Sequence, residues 1–130
     1  MEKMRPYHGS CHCGAVAFEI DADLSRLVRC TCSICSKKGG LFCRVPPDRF
    51  RLIAGGDDLV LYQFNTKISN HRFCRHCGIH TFGNPRSAPD LVLVNVRCLD
   101  DFDLETETYT VDVFDGRNWE AAFAESQKPG

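Results

Sequence analysis

The segment FCRHCG, residues 73–78, places Cys74 and Cys77 in a C-x-x-C turn that ends in a glycine. In such a turn both sulfurs converge on one ion, while backbone N–H groups point at the thiolates. Gly78 stands where a turn of this kind needs a positive φ. The segment is therefore typical of half a zinc site, and it requires two further ligands from elsewhere in the chain.

The segment GSCHCG, residues 9–14, supplies the complement. In an extended backbone residues i and i+2 point to the same face, so the sulfurs of Cys11 and Cys13 can reach one ion while His12 points away. Joined to Cys74 and Cys77, they predict a closed structural zinc site with four cysteine ligands. We expect this cross-link between the N-terminal strand and the middle of the chain to stabilise a small domain.

A third cluster lies in RCTCSICSKKGG, residues 29–40, where Cys30, Cys32 and Cys35 fit three ligands of one ion. Three interpretations stay open: a zinc site closed by a protein side chain, an iron–sulfur cluster, and a zinc site with an open fourth position. An open position is the mark of a catalytic zinc. The candidates for a closing ligand are Cys43, Cys98, His8, His12, His71, His76 and His80.

An open site with three cysteine ligands favours one kind of chemistry. Three thiolates outweigh the charge of the metal, which makes it a poor group for polarising a carbonyl or acidifying water. The same site suits a substrate thiol, because the metal lowers the thiol's pKa and the electron-rich ligands keep the thiolate nucleophilic. The cluster therefore indicates thiol capture and attack on a small electrophile, with Cys30, Cys32 and Cys35 acting through the zinc.

Composition limits the alternatives. The chain has 130 residues, so a single domain is expected, with a core over residues 5–124 and a frayed end at 125–130. A net charge of −1 gives no overall electrostatic attraction to nucleic acid or to an anionic membrane, so neither is expected as a partner. The sequence has no apolar signal core at its start and no long apolar run, which predicts a cytoplasmic protein. Nine cysteines in such a protein favour metal binding over disulfides.

The remaining pattern predicts a mainly β fold, a small domain of twisted sheets with little helix. Strands are expected at 15–20, 41–45, 49–54, 59–64, 68–74, 91–96 and 108–114, with 91–96 the central one. GGDD, residues 55–58, is expected to be a hairpin turn between two of them. Short helices are expected at 33–38 and at 118–125, the second with Asn118 as its N-cap and Trp119 docking it.

Three segments, in this order, each contain one of the cysteine clusters: GSCHCGAVAFEI, RCTCSICSKKGG and HRFCRHCGIHTFG. On these segments the chain resembles the glutathione-dependent formaldehyde-activating enzyme family, which includes centromere protein V-like members. The resemblance implies a tent-like, mainly β fold with two zinc ions per chain. It implies that Cys11, Cys13, Cys74 and Cys77 hold a structural zinc, and that Cys30, Cys32 and Cys35 hold a catalytic zinc. It also implies condensation of glutathione with formaldehyde, a carbon–sulfur lyase activity.

The leading hypothesis is thus a lyase-like enzyme that joins a small-molecule thiol, expected to be glutathione, to a small aldehyde. The alternatives are a non-catalytic zinc module that binds a protein partner and a metal-storage or redox role. Lys37 and Lys38 can attract a carboxylate of glutathione or can form a solvated pair. His80 is a candidate for the pocket or for ordinary packing.

Overall fold

The structure is a computed structural model that describes residues 4–127. These residues form ten strands and two α-helices, which confirms the predicted mainly β fold. The strands are β1 (Arg5–Ser10), β2 (Ala17–Ala22), β3 (Arg26–Cys30), β4 (Phe42–Val45), β5 (Phe50–Ala54), β6 (Leu59–Tyr62), β7 (Asn70–Cys74), β8 (His80–Asn84), β9 (Val92–Asn95) and β10 (Thr110–Phe114). The helices are α1 (Ser33–Lys38) and α2 (Trp119–Ser126).

The strands form two sheets. The smaller sheet has the order β1-β2-β5 and is antiparallel. The larger sheet has the order β10-β3-β4-β9-β8-β7-β6, so β9 is its middle strand, as predicted. All its pairs are antiparallel except β10 with β3, which run parallel and place Phe114 beside Cys30. This parallel pair brings the C-terminal part of the described chain to the three-cysteine segment.

The predicted hairpin at residues 55–58 is wrong. Gly56–Asp58 is a short 3-10 helix, and the strands on either side of it belong to different sheets. β5 pairs with β2, whereas β6 pairs with β7. The turn residues were recognised correctly, but they carry the chain from one sheet to the other because each flanking strand finds its partner elsewhere.

Both predicted helices are present, at nearly the predicted positions. Asn118 occupies the N-cap position of α2, but its side chain does not cap the helix and instead donates to Asp115 Oδ2 at 2.9 Å. α2 includes Glu125 and Ser126, which were expected to fray, and 128–130 lie outside the described residues. Within residues 4–127 no helix is long and apolar enough to cross a membrane.

The main core lies between the two sheets. β2 alternates buried and half-buried residues, and its buried face contributes Phe18 and Ile20, both with no exposed surface. The ring of Phe18 lies 5.6 Å from that of Phe50 in the same sheet and 6.1 Å from that of Phe82 in the other. These three rings join the sheets, and the cysteine clusters lie outside this centre.

Candidate metal centres

The first cluster brings together Cys11, Cys13, Cys74 and Cys77, which we call the four-cysteine cluster; their sulfurs all lie within 4.8 Å of one another. Cys11 and Cys13 follow β1, while Cys74 ends β7 and Cys77 lies in the turn before β8. The Sγ atoms of Cys11 and Cys13 are 3.7 Å apart, as are those of Cys13 and Cys74. Four sulfurs at about 2.3 Å from a central zinc would be separated by roughly 3.8 Å, so the donor set fits such an ion.

Backbone N–H groups point at these sulfurs, as the C-x-x-C pattern predicts. The amide of Val16 donates to Cys11 Sγ at 3.3 Å, and that of His76 donates to Cys74 Sγ at 3.4 Å. The amide of Ile79 and then that of Cys13 lower the pKa of Cys77 to about 6. Such donors favour thiolates, which are the form that binds a metal.

The turns around the four-cysteine cluster agree only in part with the geometry expected from the sequence. Gly78 has the predicted positive φ, +78°. Cys11 and Cys13 lie in a turn closed by the Gly14 amide on the Cys11 carbonyl at 3.2 Å, not in the extended segment that we expected. Cys11 and Cys74 are buried and form a small second core with Val16. Cys13 is exposed and Cys77 is half-buried, so the cluster lies at the edge of this second core and offers four donors at one point.

The second cluster joins Cys30, Cys32 and Cys35, whose sulfurs also lie within 4.8 Å of one another; we call it the three-cysteine cluster. Cys30 ends β3, Cys32 is the N-cap residue of α1, and Cys35 lies one turn into that helix. The thiols of Cys30 and Cys35 and the amides of Cys35 and Ile34 donate to Cys32 and lower its pKa. Hydrogen bonds with Cys30 and Cys32, and burial, raise the pKa of Cys35.

In residues 4–127 no further cysteine, histidine, aspartate or glutamate shares this cluster of ligand atoms. The proposed closing ligands lie elsewhere. Cys43 is buried in the main core, and Cys98 Sγ donates to the carbonyl of His80 at 3.4 Å. Three of the candidate histidines make other contacts or are exposed: His8 pairs with Glu19 at 3.1 Å, His76 pairs with Asp58 at 2.8 Å, and His12 is exposed. The remaining two, His71 and His80, lie near the cavity but not among the clustered ligand atoms. The three sulfurs form a donor set of their own.

The loop between β10 and α2 packs directly on this cluster. A Cβ at Gly116 would lie 2.6 Å from Cys30 Sγ and 2.6 Å from the Cβ of Cys32, so the close approach requires glycine. Asp115 fixes the loop by accepting from Thr31 Oγ1 at 2.7 Å and from Asn118. These hydrogen bonds, that of Asn118 first, lower the pKa of Asp115.

A cavity of about 870 Å³ opens beside the three-cysteine cluster and is lined by all three of its cysteines. Aromatic rings and cations form much of the remaining wall, among them Phe114, Trp119, Arg44, Arg86 and Arg117. Serine, threonine and asparagine side chains also line it, so the wall mixes apolar and polar groups. A concave site of this size is typical of small-molecule binding. The four cysteines of the other cluster do not line this cavity.

α2 contributes its first turn to the cavity wall. The guanidinium carbon of Arg86 lies 3.6 Å above the centroid of the Trp119 ring, and Nη2 of Arg86 lies 3.6 Å from Glu120. Trp119 stacks on Phe123 with their centroids 4.8 Å apart. The Phe123 contact lies within α2, whereas the contacts of Trp119 with Arg86 and Phe114 join the helix to the rest of the domain, in agreement with the predicted docking role.

Three basic side chains lie next to the cavity. Lys38 Nζ lies 3.2 Å from His71 Nδ1, and the ring of His71 lies 6.0 Å from that of His80. Burial and the charge of Lys38 lower the pKa of His71 to about 4 and that of His80 to about 3. Both ring nitrogens of His80 are buried and have no hydrogen-bond partner among the described residues. Lys38 thus faces a histidine, whereas Lys37 is exposed.

Sequence reasoning missed most of the cavity wall. Arg44, Arg86, Gly116 and Trp119 have no motif around them that indicates a binding site, and they meet only through β4, β8 and β10. His71 was considered only as a metal ligand. Its burial beside Lys38 had no signal in the sequence, because the contact joins α1 to β7.

The fold and these clusters define a small mainly β protein with two cysteine sets that can hold metal ions, one of them at a cavity. The sequence model described as "glutathione-dependent formaldehyde-activating enzyme" matches residues 6–115. A crystal structure of a Rhodobacter sphaeroides protein, a structural genomics target, is similar to this chain with a TM-score of 0.72 and 34% identity. The similarity covers 81% of this chain and 99% of that one. The chain belongs to the glutathione-dependent formaldehyde-activating enzyme family.

Proposed function

We propose that this protein catalyses the addition of a thiol, glutathione, to formaldehyde, giving S-(hydroxymethyl)glutathione, and the reverse carbon–sulfur cleavage. The observation that carries the proposal is the three-cysteine cluster, whose sulfurs converge at the wall of a cavity of about 870 Å³ with no fourth ligand from the described residues. Formaldehyde is small, so the volume of the cavity serves the thiol.

Two zinc ions per chain are part of the proposal. Cys11, Cys13, Cys74 and Cys77 would hold a structural zinc, because four thiolates complete a tetrahedral ion and leave no position for a substrate. Cys30, Cys32 and Cys35 would hold a catalytic zinc with an accessible position. Zinc bound there would supply a Lewis acid that favours the deprotonated form of a substrate thiol.

The chain's own residues suit glutathione, which carries two carboxylates. Arg44, Arg86 and Arg117 place guanidinium groups along the cavity, and guanidinium binds carboxylate in a two-pronged hydrogen bond. Arg44 Nη2 already donates to Ser87 Oγ at 3.3 Å, which fixes its position on the wall. Phe114 and Trp119 provide apolar surface in the same wall, against which the aliphatic parts of the thiol can pack.

The reaction itself is an addition. The sulfur lone pair of the thiolate forms the new carbon–sulfur bond, and the π electron pair of the carbonyl moves to its oxygen. The proton that the thiol lost reaches that oxygen through water, so atoms and electrons balance without an oxidant or a reductant. Holding thiol and aldehyde together in one cavity converts a reaction between two molecules into a reaction within one complex, which accelerates it.

The direct test is the rate of S-(hydroxymethyl)glutathione formation above the spontaneous background, measured by exchange NMR with fully metallated protein. We expect acceleration by the wild-type protein and background rates with Cys32→Ser. A fully metallated wild-type protein that gives no acceleration would remove this substrate assignment.

A second experiment separates the enzyme from the non-catalytic zinc module. Cobalt placed in the protein reports each bound thiolate through its charge-transfer absorption. We expect glutathione to change this spectrum in the wild-type protein, because the three-cysteine cluster can accept a fourth sulfur. An unchanged spectrum at saturating glutathione would indicate a closed site and would favour the module.

A further inference from the structure

Three basic side chains beside the cavity, one buried and two half-buried, have no role in the proposed function so far. Lys38 ends α1, and His71 and His80 lie on the neighbouring strands β7 and β8. His71 is 6% exposed, yet it is one of the residues that line the same cavity as the three-cysteine cluster. It is therefore a polar group held in the wall of the site where a substrate would react.

The charged form of Lys38 selects one tautomer of His71; burial lowers the pKa of Lys38, while the nearby Cys35, Cys32 and Cys30 oppose this shift. An ammonium group has only donors, so the contact of 3.2 Å between Lys38 Nζ and His71 Nδ1 makes Nδ1 the acceptor. The imidazole then carries its single proton on Nε2. Burial and the Lys38 charge keep this ring neutral, against the opposing effect of Cys32, since they lower the pKa of His71 to about 4. His71 is thus a fixed neutral N–H donor.

The ring is also fixed in orientation. Phe64 stacks on His71 with the centroids 5.8 Å apart and the planes 27° apart, and His80 packs against it at 6.0 Å. Lys38 is held in turn, because its Nζ lies 5.3 Å from the centroid of the Phe42 ring. A donor fixed on several sides needs no reorganisation when charge develops in front of it, and this is the condition for strong electrostatic stabilisation.

We propose that His71 donates an Nε2–H hydrogen bond to the aldehyde oxygen as the thiolate adds, and that Lys38 is a positioning residue that holds His71 in the required tautomer. This inference rests on the proposed function. As the carbon–sulfur bond forms, the π electron pair collects on the oxygen opposite the donor. His71 keeps its proton, and the oxygen receives its own from water.

The first test needs no turnover. Nitrogen-15 NMR of the zinc-loaded protein without substrate distinguishes the two ring nitrogens of His71. We expect a protonated Nε2 and an unprotonated Nδ1 in the wild-type protein, and a mixture of both tautomers in Lys38→Met. A proton on Nδ1 of the wild-type protein, or a tautomer unchanged in Lys38→Met, would overturn the proposal.

The second test is kinetic. We expect His71→Phe, which retains an aromatic ring, to reduce kcat roughly 100-fold or more while the KM for glutathione and the zinc content stay within a factor of about two. His71→Gln restores an N–H donor and should recover part of the rate, which a purely structural role would not produce. His8→Gln is the matched control, because His8 is an exposed histidine on β1 paired with Glu19.

The outcomes separate the two proposals. Wild-type kcat in both His71 variants refutes the role of His71 while the proposed function stands. No acceleration by the wild-type protein refutes the proposed function, and the role of His71 at the aldehyde falls with it. If His71→Phe does not fold, His71→Gln and the NMR measurement on the wild-type protein still decide the question.

Discussion

Gly116→Ala adds one methyl group at the point where the β10–α2 loop meets the three-cysteine cluster. The new Cβ would lie 2.6 Å from Cys30 Sγ, 2.6 Å from the Cβ of Cys32 and 2.9 Å from the Cys32 amide nitrogen. Non-bonded heavy atoms of this kind prefer about 3.5–4.0 Å, so each contact falls short by roughly 1 Å. Two of the three atoms cannot rotate away, because they are a Cβ and a backbone nitrogen.

The loop and the cluster must therefore separate. Insertions of one methyl group into packed sites cost about 1–3 kcal/mol. Separation moves the sulfurs of Cys30 and Cys32 from the positions in which they share an ion, so most of this cost falls on metal binding. A cost of 1–3 kcal/mol corresponds to a roughly 5- to 150-fold weaker affinity at this cluster.

The assay is competition for zinc against a chelator with an optical readout, which resolves two release steps per chain. The step that belongs to the three-cysteine cluster is identified by its absence in Cys32→Ser. Gly56→Ala is the matched control, because a Cβ there meets only Leu52 Cδ2, at 3.4 Å. We expect the weaker affinity in Gly116→Ala alone. Unchanged affinity for both ions in that variant would refute the close packing argued here.

Three further changes test other parts of the structure. Cys74→Ser should lower the thermal midpoint of unfolding severely, because Cys74 is fully buried in the four-cysteine cluster. Cys32→Ser should stay folded but be inactive. Comparable unfolding of the two variants, measured by circular dichroism, would contradict separate roles for the two clusters. Arg44→Met should raise the KM for glutathione roughly tenfold but leave that for neutral 2-mercaptoethanol unchanged, and equal effects on both thiols count against a carboxylate contact. Phe18→Ala should reduce the free energy of unfolding by about 3–5 kcal/mol in urea titrations, because its ring joins the two sheets; a loss below about 1 kcal/mol would show that it does not.

The strands that sequence reasoning found and those that it missed differ in a physical way. Residues 91–96 are strongly apolar, and they form the middle strand of the larger sheet, where both neighbours are strands. β3 and β8 were missed because their sequences contain charges or a breaker: RLVRC has two arginines, and HTFGN has glycine. An N-terminal strand was expected, but without bounds, since RPYHGS contains proline and glycine. β8 becomes a strand through its pairing with its chain neighbours β7 and β9, and β3 through its pairing with β4 and with the distant β10.

The candidate site also has a part that the sequence predicted and a part that it did not. Short spacing located all seven clustered cysteines, since ligands within one turn must be close in any fold. The join between Cys11–Cys13 and Cys74–Cys77 was inferred from the number of ligands, and the structure places their sulfurs together. The cavity wall was not predicted, because arginines and aromatic residues are common in every sequence and only their convergence makes a site.

The sequence by itself determined which cysteines are candidate metal donors, because they stand in three short clusters. It also determined the mainly β class, because the chain is rich in short strand patterns. Only the tertiary structure decided the surroundings. It set Gly116 against Cys30, turned Lys38 towards His71 and assembled the cavity beside one cluster alone. Local spacing fixes which atoms can share an ion. The parallel pairing of β10 with β3 and the contact of Lys38 with His71 join residues far apart in the chain, which no short motif encodes.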